Sequence, residues 1–169
     1  MGITEIYETM EYSPAPESSD FAMKWLKEHK NKFGLYINGK WCKPKSGKVL
    51  STKNPANGEK LALISVAGKN DVSLAVIAAK RAYGAWNNLS GYKRSRYLYA
   101  IARKLQKHAR LFAVLETLDN GKTIRETRDI DVPLSIRHFY HHAGWAQLLD
   151  SKFSGYNSIG PVGQIIPWN

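Results

Sequence analysis

Cysteine is almost missing from this chain: Cys42 is the only one in 169 residues. A lone thiol excludes an intramolecular disulfide framework and fits a reducing compartment. Long apolar runs are missing too, and no stretch approaches the roughly 20 residues that a membrane-spanning helix needs. The N-terminus lacks the basic start and apolar stretch of a secretory signal, and it is acidic where a mitochondrial presequence is Arg-rich. The expected location is cytoplasmic, with no membrane partner. Positive charge is absent from the first 20 residues, where Glu5, Glu8, Glu11, Glu17 and Asp20 sum to −5. Against a net charge of +11, the remainder from Phe21 onward therefore carries +16. Its basic residues are spread along the chain at helical surface spacing. No aromatic/basic RNA motif or recognition helix accompanies them, so they read as a solvated face and no nucleic-acid partner is expected.

What is present suits one folded core. An apolar share of 43% is that of a globular chain and argues against disorder. Pro14, Pro16 and a Ser-Ser pair make residues 1–32 an N-terminal extension, partly flexible, with two helical turns expected over Phe21–His29. Asn38-Gly39, between Leu35–Ile37 and Lys40-Trp41, predicts a hairpin with a two-residue turn. Lys48–Lys53 is expected to continue that small sheet, and Leu61–Val66 to form another strand. Three helices should follow. Asn70 is the expected N-cap of the first, with a stripe of Val72, Ala75, Val76, Ala79, Tyr83 and Trp86. The second covers roughly Tyr92–Asp119, with a break near His108–Arg110 and a stop at Asn120-Gly121. The third is expected to be capped by Asp131 and to carry Pro133 in its first turn. Val162–Ile166 then reads as a short buried strand stopped by Pro167. Such a strand needs covering elements, and none follows it, so the chain reads as unfinished.

That last segment carries a resemblance. Gly160-Pro161-Val162-Gly163-Gln164-Ile165-Ile166-Pro167-Trp168-Asn169 resembles the first strand of the cofactor domain of the aldehyde dehydrogenases. Upstream segments are similar to the family in order and spacing: Tyr36–Trp41 (YINGKW), Asn54–Glu59 (NPANGE), the Asp71–Trp86 helix, Leu115–Lys122 (LETLDNGK) and Arg137–Ala146 (RHFYHHAGWA). Glu11–Ser18, Asn38–Pro44 and Arg125–Leu134 further resemble the long family-16 branch, some members of which lack the nucleophilic cysteine. The resemblance implies an α/β fold for residues 33–169. It would be the N-terminal part of the aldehyde dehydrogenase fold, a small antiparallel β element and a helical layer leading into a Rossmann-like domain, truncated.

The implied reaction oxidises an aldehyde to a carboxylic acid with NAD or NADP. A cysteine thiolate attacks the carbonyl to give a thiohemiacetal oxyanion, hydride passes to the nicotinamide, and a Glu-activated water releases the acid. By the resemblance, Asn169 is the catalytic amide that steadies the oxyanion. Ile165, Ile166, Pro167 and Trp168 are the cofactor-binding positions, at the carboxyl end of a parallel strand. The nucleophile, the base and the phosphate-binding glycine motif fall beyond residue 169 in the family, so the 169 residues alone are expected to be inactive. The parent would take an aldehyde substrate and form a homo-oligomer. The alternative is a non-catalytic pseudoenzyme or truncated isoform that serves as an interaction module.

Cys42 lies far upstream of the family's nucleophile and reads as structural. His138 and His142 stand four apart on a helix, as metal ligands do, but no carboxylate or thiol stands at ligand spacing. No metal is expected.

Overall fold

The computed structural model describes residues 18–167. A short helix, α1 (Asp20–Glu28), leads into β1 (Lys32–Phe33), the hairpin strands β2 (Leu35–Ile37) and β3 (Lys40–Cys42), then β4 (Val49–Lys53) and β5 (Lys60–Ser65). Helices α2 (Lys69–Asn87), α3 (Gly91–Lys107) and α4 (Ala109–Asn120) follow. A single turn, α5 (Ile124–Glu126), passes through a π-helical turn at Thr127–Asp131 into α6 (Val132–Lys152). The architecture is a helical layer with a small sheet.

The β2–β3 hairpin forms as expected. Asn38 and Gly39 take φ of 53° and 74°, the left-handed pair that a tight turn between right-twisted strands requires. The expectation that residues 48–53 extend this hairpin is not met. β4 instead pairs antiparallel with β5, and β5 pairs in parallel with β1, giving the order β1-β5-β4 apart from the hairpin. The pairing follows from burial, because Leu61 and Ala62 of β5 are core residues and need a neighbour on each edge. α1 joins this unit, burying Ala22 and Leu26 and stacking Trp25 on Phe33 at 5.6 Å between ring centroids.

Two expected caps are also displaced. Gly68, not Asn70, caps α2, and Asp71 three residues on supplies the acceptor, its Oδ2 taking the Gly68 N–H at 2.9 Å. The same carboxylate accepts from Lys45 N at 3.0 Å, so one buried aspartate ties the β3–β4 loop to the helix start. Asp131 is not a cap, since helical backbone already runs from Thr123 through the π turn. Thr123 is the N-cap, its hydroxyl accepting from Glu126 N at 3.4 Å. The break between α3 and α4 falls at His108, and Gly121, with φ of 81°, ends α4.

The tightest packing is α3 on α6. The inward stripe of α3 is Gly91, Ser95 and Ala102, and it meets Ala143 on α6; all four are buried. Small residues let the two backbones approach so closely that a Cβ on Gly91 would lie 2.3 Å from the Ala146 carbonyl oxygen. A second cluster joins Ala113 of α4 to Val132 and Ile136 of α6. By contrast the apolar stripe expected on α2 is open: Val72, Ala75, Val76, Ala79 and Trp86 are exposed and only Tyr83 is half-buried, while Leu74 and Ile77 beside it are exposed too. The periodicity of α2 is real, but among the described residues nothing covers it.

Gly91→Ala should therefore lower stability by about 1–3 kcal/mol, the usual cost of forcing atoms into a packed contact. Urea unfolding followed by circular dichroism at 222 nm would show it. Gly84→Ala, with open space at its Cβ position, should be neutral or stabilising.

Candidate functional site

The segment that the sequence marks for cofactor binding is described up to Pro167. Residues 157–167 form no strand, so the expected strand over Val162–Ile166 is not made. Strand backbone is stable only where its N–H and C=O groups find a ladder partner, and none of the described residues pairs with it. Ile165 is fully exposed, and Ile166 and Val162 are more than three-quarters exposed. One hydrogen bond ties the segment's start, from Tyr83 Oη to the Ser158 carbonyl at 2.8 Å. Pro167 is exposed. Trp168 and Asn169 lie outside the described residues. Ile165, Ile166 and Pro167 thus present an apolar edge without an opposite wall. Such an edge suits one face of a flat aromatic ring, and it carries no charged group that would hold a phosphate.

The structure does assemble a cleft elsewhere. A cavity of about 470 Å³ opens between α1, the three-stranded sheet and α4, walled by Trp25, Phe33, Leu61, Ile64, Leu105 and Phe112. Glu116 and Asp119 are its carboxylates, and Asp119 is taken up by a hydrogen bond from the Thr52 hydroxyl. The lining holds no thiol or imidazole, so its chemistry is that of an apolar docking cleft. Sequence reading missed it because its walls come from seven separate elements, none of which signals a pocket alone.

Beside the cleft lies a compact charged cluster. Lys122 Nζ donates to Asp131 Oδ2 at 2.8 Å and stands 4.0 Å from Glu116 Oε1. The π turn brings Asp131 here, and the turn is itself held by Thr127, fully buried, whose hydroxyl meets that of Thr117 at 2.9 Å. Burial, and next the facing charge of Asp131, push the Glu116 carboxyl above its ordinary range. The hydrogen bond to Asp131 holds Lys122 above the usual lysine value. The Asn54–Glu59 turn abuts this corner, for Pro55 Cγ is 2.8 Å from where a Gly121 Cβ would stand. Two segments that stood out separately in the sequence, NPANGE and LETLDNGK, therefore meet in space.

Cys42 is exposed at the hairpin, its Sγ 3.5 Å from the Leu35 carbonyl, and it borders a depression shared with Lys40, Lys43, Asp71 and Arg81. His138, His141 and His142 lie on the outer face of α6. His142 Nδ1 is 2.8 Å from the His138 carbonyl, and Trp145 Nε1 donates to His141 Nε2 at 2.9 Å. No group of three or more metal-ligating side chains occurs among the described residues. No helix among them is long and apolar enough to cross a membrane.

The family model for the Aldehyde dehydrogenase family matches residues 41–169. The chain belongs to the aldehyde dehydrogenase family. It is 41% identical over 147 residues to the Bacillus subtilis protein DhaS, named as a candidate aldehyde dehydrogenase, covering 80% of this chain and 30% of that protein. An aldehyde dehydrogenase of Vibrio cholerae is 40% identical over 150 residues, with 83% and 30% covered. Among solved structures, HpcC from Thermus thermophilus superposes with a TM-score of 0.73 at 28% identity, covering 82% of this chain and 27% of that one. Betaine aldehyde dehydrogenase from Staphylococcus aureus, solved with NAD+, gives 0.71 at 32% identity, covering 76% and 25%. The chain thus spans about 30% of the length of the curated relatives it matches.

The charged corner yields a signed pH effect. A carboxyl raised in the folded state takes up a proton more readily than in the unfolded chain, so its contribution falls as pH rises past the ordinary glutamate value. Lys122, raised, keeps its contribution at neutral pH and loses it only as alkaline pH passes its folded value. Glu116→Gln should flatten the decline above about pH 4.3 and leave the neutral-pH chain equally or more stable, by less than about 1 kcal/mol for this partly exposed group. Urea midpoints measured between pH 4 and 8 check this. A steeper decline in the variant would contradict it.

Proposed function

We propose that these residues are the N-terminal portion of an NAD-type aldehyde dehydrogenase, which oxidises an aldehyde to a carboxylic acid through a cysteine-bound intermediate. The observation that carries the reading is a family match running to residue 169, in a chain that covers under a third of its relatives. NAD is the cofactor named in complexes of structural neighbours, and NADP is the phosphorylated alternative. When bound, the dinucleotide supplies the hydride acceptor. The residues of this chain that would contact it are Ile165, Ile166, Pro167 and Trp168, offering apolar surface to one side of a ring. Asn169 would direct its amide N–H at the oxyanion, a neutral donor aimed where negative charge develops.

Within these 169 residues the only thiol is Cys42, whose Sγ faces the Leu35 carbonyl, and the depression it borders holds no histidine or glutamate. Turnover therefore belongs to a protein of the relatives' length, acting in the cytoplasm as a homo-oligomer. A second reading, an interaction module without catalysis, is favoured by the open apolar face of α2.

Two measurements separate these readings. The 169-residue chain mixed with NAD+ and acetaldehyde should give no rise in absorbance at 340 nm, and measurable turnover would overturn the assignment of roles. In a protein of the relatives' length, Asn169→Ala should lower kcat by about 10²–10³-fold, as loss of one oxyanion donor does. A change in KM alone would place Asn169 outside the reaction.

A further inference from the structure

We infer that the depression between the β2–β3 hairpin and α2 binds an aliphatic carboxylate, its head held by Arg81 and the neighbouring lysines and its alkyl tail laid on α2. The depression holds about 650 Å³, within the range of small-ligand sites. Two parts of the chain wall it. Lys40 and Cys42 of β3, with Lys43 and Lys45 of the loop that follows, form one wall; Leu74, Ile77, Ala78 and Arg81 of α2 form the other. The four helical residues stand at i, i+3, i+4 and i+7, so they share one stripe of α2, and Arg81 ends it.

The walls carry charge that the chain leaves unanswered. Lys40, Lys43, Lys45 and Arg81 are all exposed, and among the described residues none of their side chains makes an ion pair or a hydrogen bond. The one carboxylate of the lining, Asp71, is buried and already engaged. It accepts from Gly68 N at 2.9 Å and from Lys45 N at 3.0 Å. Four cations against one carboxylate leave an excess of three positive charges around a hollow, where low-dielectric walls focus the field on an incoming anion.

The rest of the lining selects the tail. Leu74 and Ile77 are each 45% exposed, Ile37 is half-buried, and no aromatic side chain lines the depression. An alkyl chain gains contact there, whereas a flat ring would find no stacking partner. Each methylene fully buried adds roughly fourfold to affinity. The donors select the head. Phosphate sites at helix starts rely on free backbone N–H groups, and here Asp71 already occupies Gly68 N and Lys45 N. The donors left are side chains, chief among them the planar fork of Arg81, which matches a carboxylate with two parallel bonds. A bilayer surface is a poorer occupant, because it cannot enter a hollow between two elements.

Cys42 lies in the lining and is the only thiol, so it reports occupancy. Iodoacetamide, an uncharged reagent, should alkylate Cys42 of the 169-residue chain about fivefold or more slowly as decanoate, kept below its micelle concentration, saturates the site. Helical circular dichroism should stay unchanged. Acetate lacks the tail and decyltrimethylammonium lacks the negative charge, and neither should protect at the same concentrations. Decyl phosphate should protect more weakly than decanoate. Arg81→Gln should raise the half-protecting concentration about three- to fivefold, the loss of one exposed charge pair, and Arg81→Lys should restore part of it. Leu74→Ser should raise it by about threefold or more through the tail. The inference is overturned if decanoate leaves the alkylation rate unaltered, or if acetate or decyltrimethylammonium protects equally well. It is also overturned if decyl phosphate is preferred, if protection needs anionic vesicles in place of the free carboxylate, or if the Arg81 and Leu74 replacements leave the half-protecting concentration where it was.

Discussion

The close crossing of α3 and α6 sets the position of most other elements. It depends on having almost nothing in the way: Gly91, Ser95 and Ala102 on one helix, Ala143 on the other. Little apolar area is buried by such small side chains, so the stability of the contact comes from dispersion between backbones at short range. The buried Ser95 hydroxyl adds no penalty, because it donates to the Tyr92 carbonyl at 2.8 Å within its own helix. Once these helices are locked, α4 is held between α6 and the sheet, and the inward face of α3 is used up. Its cations other than Arg94, which turns in to Asp150, are thereby confined to the opposite side. The charged stripe on α3 is a consequence of the packing as much as of the sequence.

A second constraint acts at the end of α4. Gly121 turns the chain, Pro55 packs against that turn, and Thr52 donates to Asp119, so the sheet and the helical layer are pinned at one corner. Lys122 then serves two carboxylates, and the π turn is what lets Asp131 reach it. An extra residue inserted into a helical turn changes the direction in which following side chains point. Here it aims Asp131 back toward α4 while Val132 and Ile136 still face the core.

Local signals were the legible part of this fold. Asn38-Gly39 marked its turn, Asn120-Gly121 its helix stop and His108 its break, because each acts through the backbone of a few neighbouring residues. Sheet partnership was not legible: residues 48–53 have strand composition, but only the burial of Leu61 and Ala62 decides that they pair with β5. The caps went astray for a related reason. Asp71 caps from inside the helix, three residues after Gly68, and Asp131 is drawn off by a lysine nine residues away. The helix stripes had the right period but an unequal outcome. On α6, Val132, Ile136 and Ala143 are buried, whereas the stripe of α2 finds no cover among the described residues.

The candidate site shows the same division between local and collective order. The positions expected to face a cofactor were named by resemblance to a family motif, and the sequence reading made that motif a strand flanked by other strands. Where no flanking strand is hydrogen-bonded to it, Val162–Ile166 has every reason to be apolar and none to be extended and buried. Its exposed isoleucines and the open valines and leucines of α2 are then two signs of one condition. Both are apolar surfaces that none of the described residues covers. The buried aspartate, the small-residue crossing and the pinned corner do not depend on such cover, since every partner they use lies between Lys45 and Asp150. The local scaffold therefore closes on itself between Lys45 and Asp150, while Val162–Ile166 enters no sheet among the described residues.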